Sequence, residues 1–157
     1  MATRKKQATG GYDFAVVRDN LAKQELGVTF PLLGSDGEPQ PYGDGHVTLT
    51  VRGERSATFR QMADEFDRTY YDDVVKIKDP VERDEAFKQA SLDRPHAFDM
   101  KVRAPNVIGW VGFTDGGKPV ELTIELAREL MDTPGVREQI VNAQGDPERF
   151  FVEASAG

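Results

Sequence analysis

The sequence predicts an α+β protein with a small N-terminal β-hairpin or sheet followed by a mostly helical body. Two short runs rich in β-branched residues, 28–33 and 47–51, lie in the first third of the chain. Most of the later sequence carries apolar residues at the three- and four-residue spacing of amphipathic helices, interrupted by proline and glycine. No internal repeat or low-complexity segment is visible in the sequence.

Size and composition indicate one soluble globular domain. The chain has 157 residues, 38% of them hydrophobic and 30% charged, and its net charge is −7. This acidity argues against a nucleic-acid partner, because affinity for phosphate backbones comes from clustered Lys and Arg. The sequence has no cysteine, which excludes disulfides and thiolate metal sites. It has no apolar run near the ~20 residues of a membrane helix, so neither a membrane span nor a signal peptide is expected.

The first eleven residues, 1–11, are polar and basic and are interpreted as a flexible arm. Residues 12–157 are interpreted as the single domain. Its first part, 12–55, holds a short helix and the hairpin; 56–106 is helical; and 107–157 holds a tryptophan-containing stretch, a turn and the C-terminal helices.

The N-terminal part begins with a predicted amphipathic helix over 12–26. Phe14 and Leu21 share one helical face, Asp13 can cap the start, and Gly27 can end the helix.

The two predicted strands, 28–33 and 47–51, flank a loop over 34–46 that is rich in Gly, Pro and Asp. Pro31 has no amide hydrogen to donate, which places the first strand at a sheet edge. Such an edge can face solvent or accept a strand from another chain.

The sequence of the middle part predicts a long helix followed by a second helix. Ser56 is a good N-cap, and the apolar spacing continues to Ile77, so this helix is expected to be the longest. Asp79 can cap a second helix that has Pro80 at its first position. That helix is expected to break at Pro95.

The most informative stretch surrounds Trp110, the only tryptophan. Asp115, Gly116 and Gly117 predict a chain reversal, because two glycines after an aspartate supply the positive φ angles that a reversal needs. Pro119 then begins an extended segment.

Two C-terminal helices are predicted next. Thr123 can cap the first, and the second begins after Pro134 and ends near Gly145. Asp146 and Pro147 open a last turn.

One motif has to be compared with the phosphate-binding loops of nucleotide-binding proteins. The segment 112–118 has the G-x-x-x-x-G-K spacing of a phosphate-binding loop. However, the next residue, Pro119, lacks both the hydroxyl that binds magnesium and the amide hydrogen that opens a helix. Asp115 also places negative charge where phosphates would lie. A plain chain reversal is therefore expected.

The sequence does not indicate an enzyme, a metal site or a cofactor. His46 and His96 are the only histidines, and neither lies in a zinc-binding pattern. No serine occupies a G-x-S-x-G elbow. The many carboxylates are interpreted as solvated helix faces.

Aromatic residues are more numerous than a small helical body needs in its interior. Neighbouring side chains on a helix point about 100° apart, so adjacent rings cannot both face a narrow core. The pairs Tyr70-Tyr71 and Phe150-Phe151 are therefore each expected to offer one ring to a partner.

The last third of the chain resembles the tail assembly chaperones of long-tailed bacteriophages. The resemblance is carried by Gly109, Trp110, Asp115, Gly117, Pro119, Val120, Leu130 and Phe150-Phe151.

This resemblance implies a protein of the infected host's cytoplasm that binds the tape-measure protein, a very long helical chain. It implies that the protein keeps this chain soluble and promotes assembly of tail-tube protein around it. The expected contact surface comprises Tyr71, Trp110, Phe113, Leu130, Phe150 and Phe151.

Two other functions remain open. A structural tail or head-tail connector protein would oligomerise through the edge of the 28–51 hairpin, by strand addition. A small hydrolase or ligand-binding domain would need a pocket in which His46 or His96 meets a carboxylate.

Overall fold

The computed structural model describes residues 11–150, and it confirms the α+β fold. In the described residues the α-helices are α1 (Phe14–Leu26), α2 (Ala57–Thr69), α3 (Asp72–Val75), α4 (Pro80–Phe98), α5 (Ile124–Met131) and α6 (Val136–Gly145). The strands are β1 (Val28–Pro31), β2 (Pro41–Tyr42), β3 (Gly45–His46), β4 (Thr48–Val51), β5 (Val107–Val111), β6 (Thr114–Asp115) and β7 (Lys118–Pro119). None of the helices in this part of the chain is long and apolar enough to cross a bilayer.

Helix α1 begins and ends where the sequence predicts. The Asp13 carboxylate accepts a hydrogen bond from the Ala15 amide (2.9 Å), and the chain leaves the helix at Gly27, which has φ of 94°. Its apolar face is less covered than expected, because Phe14 and Leu21 are 65% and 44% exposed. Its buried residue is Gln24, whose side-chain oxygen accepts a hydrogen bond from the Arg55 amide (3.0 Å).

The predicted hairpin is confirmed, and a third strand completes its sheet. Strand β1 pairs antiparallel with β4, and β4 pairs antiparallel with β5, so that β4 is central. Proline 31 therefore does lie on an edge strand, as predicted. The loop between β1 and β4 contains the small β2–β3 hairpin.

The strand register decides which side chains enter the core. Phe30 pairs with Leu49, and Leu49 pairs with Trp110, so these three side chains share one face of the sheet. That face contributes to a first core cluster with residues of α5 and α6, including Met131 and Ile140. The opposite face carries threonines, and the Thr29 and Thr50 hydroxyls lie 2.6 Å apart.

The prediction that the helix starting after Ser56 is the longest is wrong. The chain from Ser56 divides into α2 and α3, with Tyr70 and Tyr71 at the break, and the longest described helix is α4 with 19 residues. On one continuous helix the two tyrosines would point about 100° apart. The break lets both reach α4, where the Tyr70 hydroxyl donates to the Ala90 carbonyl (2.6 Å) and Tyr71 stacks on Phe87 (4.7 Å).

The predicted break at Pro95 is also wrong. Helix α4 continues through Pro95 to Phe98 and is followed by a π-helical turn over 99–103. An internal proline removes one backbone hydrogen bond and crowds the preceding turn. Packing of Ala97 and Phe98 against a second core cluster, which contains Phe59, Phe66 and Val102, offsets that cost.

The local signals at the other helix starts are confirmed. Ser56 accepts from the Phe59 amide (3.0 Å), Asp79 accepts from the Glu82 amide (2.9 Å), and Thr123 accepts from the Leu126 amide (3.1 Å). Each bond satisfies an amide that has no partner inside its helix.

A polar contact between α1 and the start of α2 depends on pH. The Thr58 hydroxyl and amide donate to Glu25, and Arg52 Nε lies 3.1 Å from its carboxylate. These hydrogen bonds, led by that of the hydroxyl, lower the pKa of Glu25. Because the pKa is lower in the folded state, the ionised carboxylate contributes to stability. This contribution is fully present above the unfolded-state pKa and is lost as the pH falls through the folded-state pKa.

We therefore expect Glu25→Gln to destabilise the protein near pH 7 by no more than about 1 kcal/mol, because the carboxylate is partly exposed. The difference from the wild-type protein should shrink as the pH falls below about 4, through the lowered folded-state pKa of the carboxyl. Urea unfolding followed by Trp110 fluorescence at the two pH values measures this. An equal difference at both would contradict the assigned role of the charge.

Candidate functional site

Aromatic rings of the α2–α4 region form a continuous series, which we call the aromatic ladder. Each ring contacts the next, with centroid distances from 6.3 Å to 4.7 Å. In order along the ladder, the rings belong to Phe59, Phe98, Phe66, Tyr70, Tyr71 and Phe87.

The ladder leads from the interior to the surface. Phe59 and Phe66 are each 4% exposed, whereas Phe87 at the other end is 47% exposed. Tyr71 lies nearly parallel to Phe87, with an interplanar angle of 16°. Val75, which is 63% exposed, follows Tyr71 by one helical turn. We call Tyr71, Val75 and Phe87 the ladder end.

Polar contacts fix the orientation of the ladder. Burial raises the pKa of the Tyr70 hydroxyl, which remains a donor to α4. Arg94 lies over the Phe66 ring (5.2 Å) and is paired with Asp67. The Tyr71 hydroxyl is 3.1 Å from the Ser91 hydroxyl. The surface rings are therefore held in place before any partner arrives.

The second aromatic contact is the stack of Trp110 on Phe113. The ring centroids are 4.3 Å apart at an interplanar angle of 14°, and the Trp110 indole donates to the Val120 carbonyl (3.0 Å). Both rings are half-buried and pack against the first core cluster. The Tyr42 side chain lies over Gly112, close enough to leave no room for a β-carbon.

The predicted turn joins this stack to α5. Gly116 and Gly117 have φ of 60° and 85° between β6 and β7, so the reversal at Asp115 is confirmed, and Pro119 is extended in β7. The segment with phosphate-loop spacing is thus a β-hairpin that does not open a helix.

The predicted contact residues occupy different environments. Tyr71 lies at the ladder end, while Trp110, Phe113 and Leu130 are half-buried around the first core cluster. Within residues 11–150 the ring contacts join Trp110 to Phe113 but do not join Tyr71 to either.

Phe150, which the sequence places on the contact surface, is buried in the structure. Its side chain is 1% exposed, because a 3₁₀ turn over 147–150 directs the ring against Gly53 beside α1. Phe151, the other residue of the predicted pair, lies outside the described residues.

The sequence does not identify two residues of the ladder end, Val75 and Phe87, as contact residues. Phe87 lies on α4, and its position opposite Tyr71 depends on how α3 and α4 pack. The available signal was the Tyr70-Tyr71 pair, which predicts one ring directed outward but does not identify the ring that receives it.

One surface depression brings a histidine next to carboxylates. His96 Nε2 is 2.8 Å from Asp132 Oδ1, and both side chains are more than half exposed. Beside them the buried Asp99 pairs with Arg137, whose Nε lies 2.6 Å from Oδ2 and whose pKa this contact raises.

The depression measures about 350 Å³ and is lined by Pro95, His96, Asp99, Met131, Asp132, Pro134, Arg137 and Glu138. These residues include an imidazole–carboxylate pair that could move a proton, and no hydroxyl or thiol nucleophile stands among them. In the part of the chain that the structure describes, no group of three or more His, Cys, Asp or Glu side chains is arranged to hold a metal ion.

Comparison of the chain with protein-family models, with curated proteins and with solved structures found no match. The resemblance to tail assembly chaperones therefore stays a prediction from short motifs.

Proposed function

We propose that the protein binds an apolar helical segment of another protein at the ladder end, in the manner of a phage tail assembly chaperone acting on the tape-measure protein. The observation that carries the proposal is the stack of the exposed Phe87 ring on the half-buried Tyr71 ring, continuous with rings buried in the second core cluster. Exposed aromatic rings are over-represented at protein-binding surfaces.

The ladder favours binding because its rings are already ordered. A free aromatic side chain loses rotamer freedom when it binds a partner, and that loss weakens the complex. Here the Tyr70 and Tyr71 hydroxyls and the ring stacking hold the outer rings in one orientation. A helix with an apolar stripe can pack its side chains against this fixed surface.

The acidic composition supports the same role. A tape-measure chain would expose long apolar stripes, which tend to aggregate in water. Each bound copy of this protein would cover part of a stripe and add its net charge of −7. Repulsion between the bound copies would keep the complexes soluble until tail-tube protein replaces them.

The connector alternative depends on the free edge of β1. The Leu32 amide donates to the Val47 carbonyl (2.9 Å), and hydrogen-bonded residues alternate along antiparallel strands. Thr29 and Pro31 therefore direct their backbone groups outward, and Pro31 has no amide hydrogen to donate. In β1 the amide of Thr29 is therefore the one outward donor for an added strand. Strand addition at β1 has less support than binding at the ladder end.

Two serine substitutions on α4 test the proposal. Phe87→Ser should lower the soluble fraction of a co-expressed tape-measure protein from the same genome several-fold, because it removes the exposed ring of the stack. Leu92→Ser is the matched control, since Leu92 is on the same helix and 76% exposed but, five residues further on, lies on a different side of the helix from Phe87. The proposal is overturned if both variants keep the tape-measure protein as soluble as the wild-type protein does, with α-helical content unchanged.

A further inference from the structure

Helix α5 carries a partly exposed face, separate from the ladder end, on which an apolar row runs beside an acidic row. Ala127 and Met131 are buried and fix its inner side. Leu126 and Leu130, four residues apart, form a half-buried apolar row, and Glu125 and Glu129 form an exposed acidic row beside it. We call these four residues the α5 outer face. Leu130 also packs against the first core cluster, whereas Leu126 belongs neither to a described core cluster nor to the residues packed against one.

The negative charge of this face has no partner within residues 11–150. The described ion pairs do not involve Glu125 or Glu129. Arg128, the cation on this helix, is turned toward the body of the protein, where its Nε donates to the Met100 carbonyl (3.1 Å).

We infer that the α5 outer face binds a helix of a partner protein that has Lys or Arg beside a leucine-type stripe. The apolar side chains would pack on Leu126 and Leu130, and the cations would lie over Glu125 and Glu129. Charge complementarity selects this occupant, because the acidic row repels both nucleic-acid phosphates and anionic membranes. The inference rests on the proposed function, since it assigns the charge pattern of the helical partner at a second contact.

The size of the face determines how strongly it can bind. Helix α5 has eight residues, about 12 Å in length, so it covers only about two turns of a partner helix. An interface of this size is weak by itself and depends on ionic strength. When the same partner chain also contacts the ladder end, the two contacts would reinforce each other.

The test uses two synthetic helices of about three heptads, both with leucine at the a and d positions and with either Lys or Glu beside them. Fluorescence anisotropy at low salt measures binding to the full chain. We expect the double variant Glu125→Lys with Glu129→Lys to bind the Lys peptide at least about tenfold more weakly than the wild-type protein does. The same charge change at Glu38→Lys with Asp44→Lys, in the exposed loop between β1 and β4, is the control.

Two results would overturn the inference. If the control variant loses as much affinity for the Lys peptide as the α5 variant does, the binding is a general effect of net charge. If the Glu peptide binds the wild-type protein as tightly as the Lys peptide, charge does not select the partner. Circular dichroism and Trp110 fluorescence verify that each variant is folded.

Phe87→Ser separates this inference from the proposed function. Peptide binding that is lost in Phe87→Ser but kept in the α5 variant would support the ladder end and reject the α5 outer face. The reverse pattern would support the α5 outer face and reject the ladder end.

Discussion

Phe150→Ala is expected to lower the free energy of unfolding by about 3–5 kcal/mol, the usual cost of removing a fully buried phenylalanine ring. The ring is 1% exposed and contacts Gly53 at the junction of α1 with the sheet. Urea unfolding followed by Trp110 fluorescence measures the change. Phe87→Ala is the control and should cost much less, because about half of that ring is already in water.

The same pair of variants separates the two positions proposed for Phe150. If Phe150→Ala leaves stability unchanged and weakens partner binding, the residue belongs to the contact surface that the sequence predicts. If stability falls as expected, a serine at this position would reduce partner solubility through unfolding alone. For that reason Phe87 is the appropriate residue for the binding test.

Gly27→Ala is expected to cost about 2–4 kcal/mol, from backbone strain and overpacking together. Gly27 has φ of 94° and ψ of 170°, a conformation that is essentially restricted to glycine. A β-carbon would also lie 2.8 Å from the Val51 carbonyl oxygen and 2.9 Å from the Ile108 side chain. The backbone oxygen cannot move without disturbing the pairing of β1 with β4.

Gly37→Ala is the matched control for this variant. Gly37 also has positive φ, 80°, but a β-carbon there would meet nothing within 4 Å. Gly37→Ala should lower the free energy of unfolding by about 1 kcal/mol, from backbone strain alone. Equal losses in the two variants, measured by thermal or urea unfolding, would show that close approach at Gly27 contributes nothing.

The parts of the fold that could be predicted depend on local chemistry. A capping oxygen acts on amides within its own helical turn, so Asp13, Ser56, Asp79 and Thr123 identified their helix starts correctly. The glycines after Asp115 identified the hairpin for the same reason, since positive φ is a property of single residues. The β-branched residues of the two runs, with alternation in the second, were sufficient to identify β1 and β4.

The parts that could not be predicted depend on contacts between distant residues. The helix spacing of apolar residues continues across Tyr70 and Tyr71, and only the rings on α4 explain why the helix breaks there. Pro95 normally ends a helix, and its tolerance here depends on packing of the following residues against α2. Phe150 is inside because the last turn reaches α1, a contact that no local pattern encodes.

The candidate site follows the same division. The sequence identified Tyr71 from an adjacent aromatic pair, a local feature, but it did not identify Phe87, which meets Tyr71 across two helices. Trp110 and Phe113 were expected at one surface, and they do lie together, although packing against the core leaves only part of each ring accessible.

Helix α4 is attached differently from the rest of the fold. None of its residues from Pro80 to Phe98, all of them described, is buried. Its middle is held by the Tyr71–Phe87 stack and the hydrogen bonds of Tyr70 and Tyr71, and its N-terminal turns by the bond from Arg83 to the Ile77 carbonyl (3.3 Å). Detachment of those turns would expose little apolar surface, so their amide protons can exchange with solvent through a local opening that leaves the three-stranded sheet intact. The surface that we assign to partner recognition thus lies partly on a helix that can open locally while the sheet stays folded.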